Sequence, residues 1–374
     1  MSKIIMSGIL NKKKLHIIGT HGVPAKYGGF ETLADFLCQT LSEKYEITVY
    51  CTAKKYPEKK KEYYGAKLKY LNIDASGFSG LFYDFLTYCR ALFASDVILY
   101  LSPVGSGVIV PLKLFFKTKV IVNHGGLNEW ERPKLSYFQK KWAKLNHKIA
   151  SRFSDVNIAD NEEYRKSLKQ NFDAESQVIS YGGDHVKFID RDDVRYIGKY
   201  SFLPAKYAVS VSRAQIDNNI HVVLKAFENF SKFKIVLISN WEISEYGRKL
   251  KRKYQFHSNM ILLDSIYDKE ELDYIRGNAF CYIHSHSYCG TAPSLVEAMS
   301  LGLAVFALDV PTNRETTENS AVFFNDSVSL KQALTKLSIE DIERNKHQMR
   351  YIANKKYTWS TISSQYSELI NSLF

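Results

Sequence analysis

No stretch of this chain carries the roughly 20 consecutive apolar residues that a bilayer-spanning helix needs. The opening residues, MSKIIMSGILNKKK, also lack the apolar core of a secretory leader, so a cytoplasmic chain is expected. Cysteine is scarce: Cys38, Cys51, Cys89, Cys281 and Cys289 show no paired metal-ligand spacing. Reduced thiols are the simplest reading. There is no internal repeat, no low-complexity tract and no recognised nucleic-acid module, which leaves a DNA- or RNA-binding protein a remote alternative despite the charge.

What is present is a globular composition, with 45% hydrophobic and 24% charged residues, and a length of 374 that fits about two domains. The net charge of +12 is concentrated in the first half. KKYPEKKKEYYGAKLK (54–69) reads as a lysine-rich loop, and RPKLSYFQKKWAKLNHKIASR (132–152) has seven Lys or Arg residues and no acid. Both favour an anionic partner, such as nucleic acid, a membrane surface or a phosphorylated substrate.

Short apolar runs alternate with helical patterns. Strands are predicted at 15–19, 47–51, 68–73, 97–101, 119–123, 156–160 and 177–181, then at 207–212, 234–239, 260–264, 280–285, 304–308 and 321–324. Helices are predicted near 29–43, 78–94, 104–116, 135–153 and 161–170, then near 219–230, 242–256, 269–276, 294–301 and 328–337, with two more at the C-terminal end. Strands joined by helices imply parallel sheets covered on both faces. The series restarts after YGGDHVKFIDRDD (181–193), which reads as a linker. The expected fold is α/β, with two Rossmann-like domains facing each other across a cleft, and ligands at the carboxyl ends of the strands.

Four segments are placed to carry chemistry. In GTHGVPAKYGGFETL the glycine spacing is not that of a dinucleotide fingerprint, and no acid ends the second strand. Gly28 and Gly29 nevertheless present backbone N–H groups at a helix N-terminus, which favours an anion; a tight turn is the alternative. In NHGGLNEWERPK, His124 follows a strand, with Asn123, Glu129 and Arg132 nearby. The helix that follows carries Phe138, Trp142, Leu145 and Ile149 at helical spacing, either to pack on its own domain or to lie on anionic lipid. Arg213 follows a strand and precedes the turn Asp217-Asn218-Asn219, so its guanidinium can clasp a diphosphate. In HSHSYCGTAPSLVEAM, Pro293 opens a helix and the Gly290–Ser294 N–H groups can converge on phosphate. Glu297 is one turn further on, where it can accept hydrogen bonds from a ribose diol. The i, i+2 pair His284 and His286 suits a metal, but no third ligand is in view, and no metal is expected.

SRAQIDNNIHVVLKAF, YIHSHSYCGTAPSLVEAM, PTNRETTENSAVFF and GTHGVPAKYGGFETLADFL together resemble the family-4 retaining glycosyltransferases of GT-B fold. More narrowly they resemble the bacterial rhamnosyltransferase-like branch that builds cell-surface polysaccharides. The resemblance runs from about Lys14 to the C-terminus. It implies an acceptor-binding domain over 1–185, a nucleotide-sugar domain over 186–355, and a helix over 356–374 that crosses back to the first domain.

On the matching positions, the resemblance implies catalytic roles for His124, Arg213 and Glu297. Donor contacts would come from Gly28, Gly29, Asn218, His286, Gly290, Thr291, Ala292, Pro293, Ser294, Asn313, Arg314 and Glu315, and acceptor contacts from Tyr27, Asn123, Glu129 and Arg132. Three positions depart from the family pattern. The first of two glutamates falls at Cys289, with His286 a candidate substitute; a lysine falls at Asn218, and a glycine at Ser212. The implied reaction moves rhamnose from dTDP-rhamnose, with retention, onto a polyprenyl-diphosphate-linked sugar, without a metal or other cofactor. A UDP- or GDP-sugar on another acceptor is the alternative. The expected location is peripheral, on the inner face of the plasma membrane, and the expected partners are the donor, the lipid-linked acceptor and anionic lipid.

Overall fold

A computed structural model describes residues 12–26, 28–75, 77–126, 128–203, 205–336 and 338–374. The chain divides into two compact units. One comprises 1–123, 146–157 and 367–374; the other comprises 124–145 and 158–366. The boundary expected at 185/186 therefore lies inside the second unit, and residues 367–374 belong to the first.

The first sheet contains β1 (Lys14–Ile18), β2 (Glu46–Thr52), β3 (Glu62–Tyr63), β4 (Ala66–Leu71), β5 (Val97–Leu101), β6 (Lys119–Asn123), β7 (Val156–Ala159) and β8 (Gln177–Val178). Their order is β3-β4-β2-β1-β5-β6-β7-β8. Only the β3–β4 hairpin among the described pairings is antiparallel. The central strands are buried on both faces, as helices on each side of a parallel sheet require. These helices are α1 (Gly29–Leu41), α2 (Gly77–Ala94), α3 (Tyr137–Phe153) and α4 (Glu162–Phe172). Asn161 caps α4 by accepting from the Glu163 N–H at 3.0 Å.

The second sheet contains β9 (Tyr207–Val211), β10 (Lys234–Ile238), β11 (Met260–Leu263), β12 (Cys281–His284), β13 (Ala304–Leu308) and β14 (Val322–Phe324). It runs β11-β10-β9-β12-β13-β14, and its described pairings are all parallel. Its helices are α5 (Ile220–Phe227), α6 (Glu245–Tyr254), α7 (Lys269–Gly277), α8 (Pro293–Ser300), α9 (Pro311–Thr316), α10 (Ser327–Lys336), α11 (Ile339–Lys356) and α12 (Trp359–Asn371). Strand order reverses between β9 and β12. The loops leaving those two strands therefore share the crevice where such sheets bind ligands.

Several expectations are corrected. The helix expected at 104–116 is a 3-10 run, Gly107–Phe115, because Pro111 inside it has no N–H to donate. Much of the expected lysine-rich loop is the β3–β4 hairpin, and α9 was not anticipated. The segment 181–185 is not a loose linker. A Cβ on Gly182 would come within 2.6 Å of the Trp359 ring, and one on Gly183 within 2.6 Å of the Val296 backbone. The Gly183 N–H donates to the Tyr357 carbonyl at 2.7 Å. Glycine is needed here so that this strand of chain can pass between α8 and Trp359.

Helix α3 forms as expected, but its apolar stripe is not its packed face. Ala143, Asn146, His147 and Ala150 are buried, at the i, i+3, i+4, i+7 spacing of one helix face. Phe138 is 81% exposed and Trp142 and Leu145 are each 43% exposed, interleaved with half-buried Lys140 and exposed Lys141, Lys144 and Lys148.

Candidate functional site

The loops after β9 and β12 are tied together by short polar side chains. Asn219 is left-handed (φ +50°) and donates from Nδ2 to the Ser285 carbonyl at 3.0 Å and to Ser287 Oγ at 3.2 Å. Ser285 Oγ donates to the Asn218 carbonyl at 2.6 Å, and Ser287 Oγ to the Asp217 carbonyl at 2.8 Å. Asn218 Nδ2 donates to the Arg213 carbonyl at 2.8 Å. This amide holds the turn that presents Arg213, an exposed residue at the crevice.

A second cationic segment joins this one. Arg132 donates from Nη2 to the Tyr288 carbonyl at 3.1 Å, pairs with Glu129 at 3.2 Å, and lies 3.9 Å from Asp217. Lys134 Nζ donates to Gln215 Oε1 at 3.1 Å, two residues from Arg213. Burial, then the proximity of Arg132 and Arg213, lowers the Lys134 pKa. Three cations thus converge on the Arg213–Asn218 turn, balanced in part by Asp217 and Glu129. Like charges held this close are relieved by an anion, and the forked guanidinium geometry suits a phosphate. Arg132, expected on the acceptor side, is placed against the β9 and β12 loops.

The floor beneath these cations is buried. His284 is 1% exposed, and burial depresses its pKa to about 3. Burial, then His284, Arg213 and Arg132, holds His286 well below its usual value. Burial pushes the Cys289 thiol up to about 12. At Gly290, a Cβ would come 1.7 Å from Asp160 Oδ1, so only glycine lets the loop lie on this carboxyl. Burial, then Glu129, raises the Asp160 pKa well above the carboxylate range. Thr291 Oγ1 donates to the Asp160 carbonyl at 2.5 Å. Ala292 is the N-cap of α8 and Pro293 its first residue, with the Ser294 side chain beside Tyr282.

Glu297, on α8, lies in a separate ionic cluster. Its Oε2 accepts from Nη1 of the fully buried Arg276, whose Nη2 also pairs with Asp273 at 2.8 Å. Its Oε1 lies 3.2 Å from His185 Nε2. Trp359 Nε1 donates to His185 Nδ1 at 3.0 Å, so His185 carries its proton on Nε2 and gives it to Glu297. Burial works against ionisation of Glu297, yet Arg276 and His185 hold its pKa down to about 2. Both carboxylate oxygens are therefore engaged by protein.

The remaining candidates are dispersed. Gly28 (φ +112°) is the N-cap of α1 in the first unit. A Cβ there would come 2.2 Å from Glu31 Oε2, and Glu31 Oε1 accepts from Thr20 Oγ1 (3.1 Å) and the His21 N–H (3.0 Å). A carboxylate of the chain itself thus occupies the anion-favouring end of α1, beside Gly28 and Gly29. Tyr27 lies outside the described residues. Asn123 ends β6 and is buried, and His124 is 0% exposed, its N–H donating to the Ile158 carbonyl at 3.0 Å. Asn313 is buried and donates to the carbonyls of Leu308 (2.9 Å) and His286 (3.2 Å). Arg314 forms a two-pronged pair with Asp309, and Glu315 accepts from Asn161 at 2.6 Å. Asp160, Lys134, Arg276 and His185 were missed. Asp160 alone had a legible signal, an acid closing a predicted strand.

Residues 199–357 match the family described as glycosyl transferases group 1, and residues 12–184 match a domain of unknown function, DUF1972. Over 218 residues the chain is 20% identical to an uncharacterized glycosyltransferase of Methanocaldococcus jannaschii. That match covers 54% of this chain and 53% of the relative, so it spans about half the length of that protein. In structure the chain is similar to sucrose-phosphate synthase from Thermosynechococcus elongatus, with a TM-score of 0.82 and 16% identity, covering 97% of this chain and 99% of that one. It is also similar to Anabaena HepE in complex with UDP-glucose, at 0.74 and 13%, covering 96% and 100%. The fold is therefore GT-B, built of two parallel-sheet α/β domains.

Proposed function

We propose that this protein transfers a deoxyhexose, rhamnose from dTDP-rhamnose, with retention onto a polyprenyl-diphosphate-linked sugar. The observation that carries the reading is the convergence of Arg132, Lys134 and Arg213 on the carboxyl edge of β9 and β12. As the bond from sugar to phosphate breaks, charge grows on the leaving diphosphate. Cations already fixed there stabilise it without reorganising. A leaving phosphate oxygen then takes the proton of the acceptor hydroxyl on the face from which it departs, and the protein's task is to align the two sugars. Lys134 and Arg132 supply the charge that Asn218 does not. HepE, bound to UDP-glucose, supports a nucleotide-sugar donor.

The donor is tested by thermal shift with dTDP, dTDP-rhamnose, UDP-glucose and GDP-mannose. dTDP-rhamnose is expected to raise the melting temperature most. Equal or larger shifts with the UDP or GDP sugars would replace the rhamnosyl assignment with the alternative donor.

The outward stripe of α3 supports a lipid-borne acceptor. Exposed aromatic rings beside four lysines match an anionic bilayer surface, where each lysine contributes about 1 kcal/mol. Among the described residues no helix is long and apolar enough to cross a membrane. The protein is expected to float with vesicles containing phosphatidylglycerol and not with phosphatidylcholine alone. Phe138→Ser/Trp142→Ser should abolish flotation while the protein remains folded, because Phe138 is 81% exposed and Trp142 only partly covered. Flotation that survives the double substitution would remove α3 from the membrane reading.

A further inference from the structure

We infer that His284, His286 and Cys289 form a three-ligand site for a borderline-soft divalent ion of the zinc type, with its fourth position open. The ligand atoms of the three side chains all lie within 4.8 Å of one another. Cys289 Sγ is 3.9 Å from His284 Nε2, and the two imidazole rings are 4.4 Å apart between centroids. A tetrahedral zinc ion with bonds of ~2.0–2.3 Å holds its ligand atoms ~3.3–3.7 Å apart, so modest side-chain rotation closes the site.

Two further features point to a ligand. Nδ1 of His284 and Nε2 of His286 are buried without a hydrogen-bond partner, as are Asp160 Oδ1 and Asp217 Oδ1 nearby, where a bound group would satisfy them. The donor set of two imidazoles and one thiolate is that of zinc rather than magnesium or calcium, which take oxygen ligands. The charged groups around it are mixed. Arg132 and Arg213 face His286 and oppose a cation, whereas Asp217 faces Cys289 and favours one; Asp160 also faces Cys289, but burial disfavours its charge. On binding, the Cys289 thiol gives its proton to solvent and its sulfur to the ion. The ion then ties the end of β12 to the loop that enters α8. The three ligands lie beneath the cations assigned to the donor diphosphate, but the test below needs no substrate, so its failure and that of the donor assignment are distinguishable.

The test uses Co2+ as a spectroscopic probe, added to metal-free full-length protein. One Co2+ per chain is expected, with a near-ultraviolet band of sulfur-to-cobalt charge transfer that one equivalent of Zn2+ removes. Cys289→Ala should abolish the band, and His286→Asn should weaken binding at least ~10-fold. Cys89→Ala, far along the chain on α2, should leave both unchanged. Melting curves of each variant confirm that it is folded. Absence of the band at one equivalent of Co2+, or a band that persists in folded Cys289→Ala, would overturn the site.

Discussion

Arg213→Ala is expected to lower turnover by ~100- to 1,000-fold while leaving the melting temperature where it was. The magnitude is that of removing one preorganised group aimed at charge developing in a transition state. The stability follows from its position: the side chain is exposed, and the turn that presents it is held by backbone and by the Asn218 amide, not by the guanidinium. Lys134→Ala should cost less, because a lysine meets phosphate as a point charge rather than a fork. Arg213→Lys should recover part of the loss. Steady-state transfer of labelled sugar checks each. Turnover within a factor of two of the native protein in Arg213→Ala would place the diphosphate elsewhere.

Glu297→Ala is expected to destabilise the protein by about 3–5 kcal/mol, read as a fall in the urea midpoint. Arg276 is wholly buried and stays charged because Glu297 and Asp273 offset the cost of burial. Removing Glu297 strands that charge with a single partner. Arg276→Leu/Glu297→Leu, which removes both charges, should recover much of the loss, since apolar pairs commonly replace buried ion pairs at little cost. The pH dependence has a defined sign. Glu297 ionises at about 2 in the folded chain against its ordinary 4.5, so its contribution is complete above about 4.5 and disappears as pH falls toward 2. Glu297→Gln should flatten that part of the acid-unfolding curve. Lost activity in a Glu297 variant therefore reports on a ribose contact only when measured beside stability.

The fold was legible because its strands are apolar throughout and its helices amphipathic, and because β9 and β12 each end in a polar loop. The grouping of Arg213, His286 and Gly290–Ser294 followed from that pattern. Long-range partners were not legible. Lys134 and Arg132 reach the Arg213 turn from about 80 residues earlier, and His185 and Arg276 close on Glu297 from about 110 and 21 residues earlier. Periodicity reported that α3 had an apolar stripe but not which face would pack. The packed face is the small one, of Ala143 and Ala150, against which Gly107 lies so close that an added Cβ would come 2.3 Å from the Asn146 carbonyl oxygen.

The way the chain is shared between its two units has a consequence for synthesis. The first unit draws on 1–123, then 146–157, then 367–374, and Tyr45 is anchored through its hydroxyl to the Ser367 carbonyl (3.2 Å) and Asn371 Oδ1 (2.8 Å). Most of that unit emerges from the ribosome early, yet it stays unfinished until residues some 320 positions later have been made. No single cut separates the two units into self-sufficient pieces, and a chain arrested before residue 367 leaves the Tyr45 hydroxyl waiting beside an unsealed core.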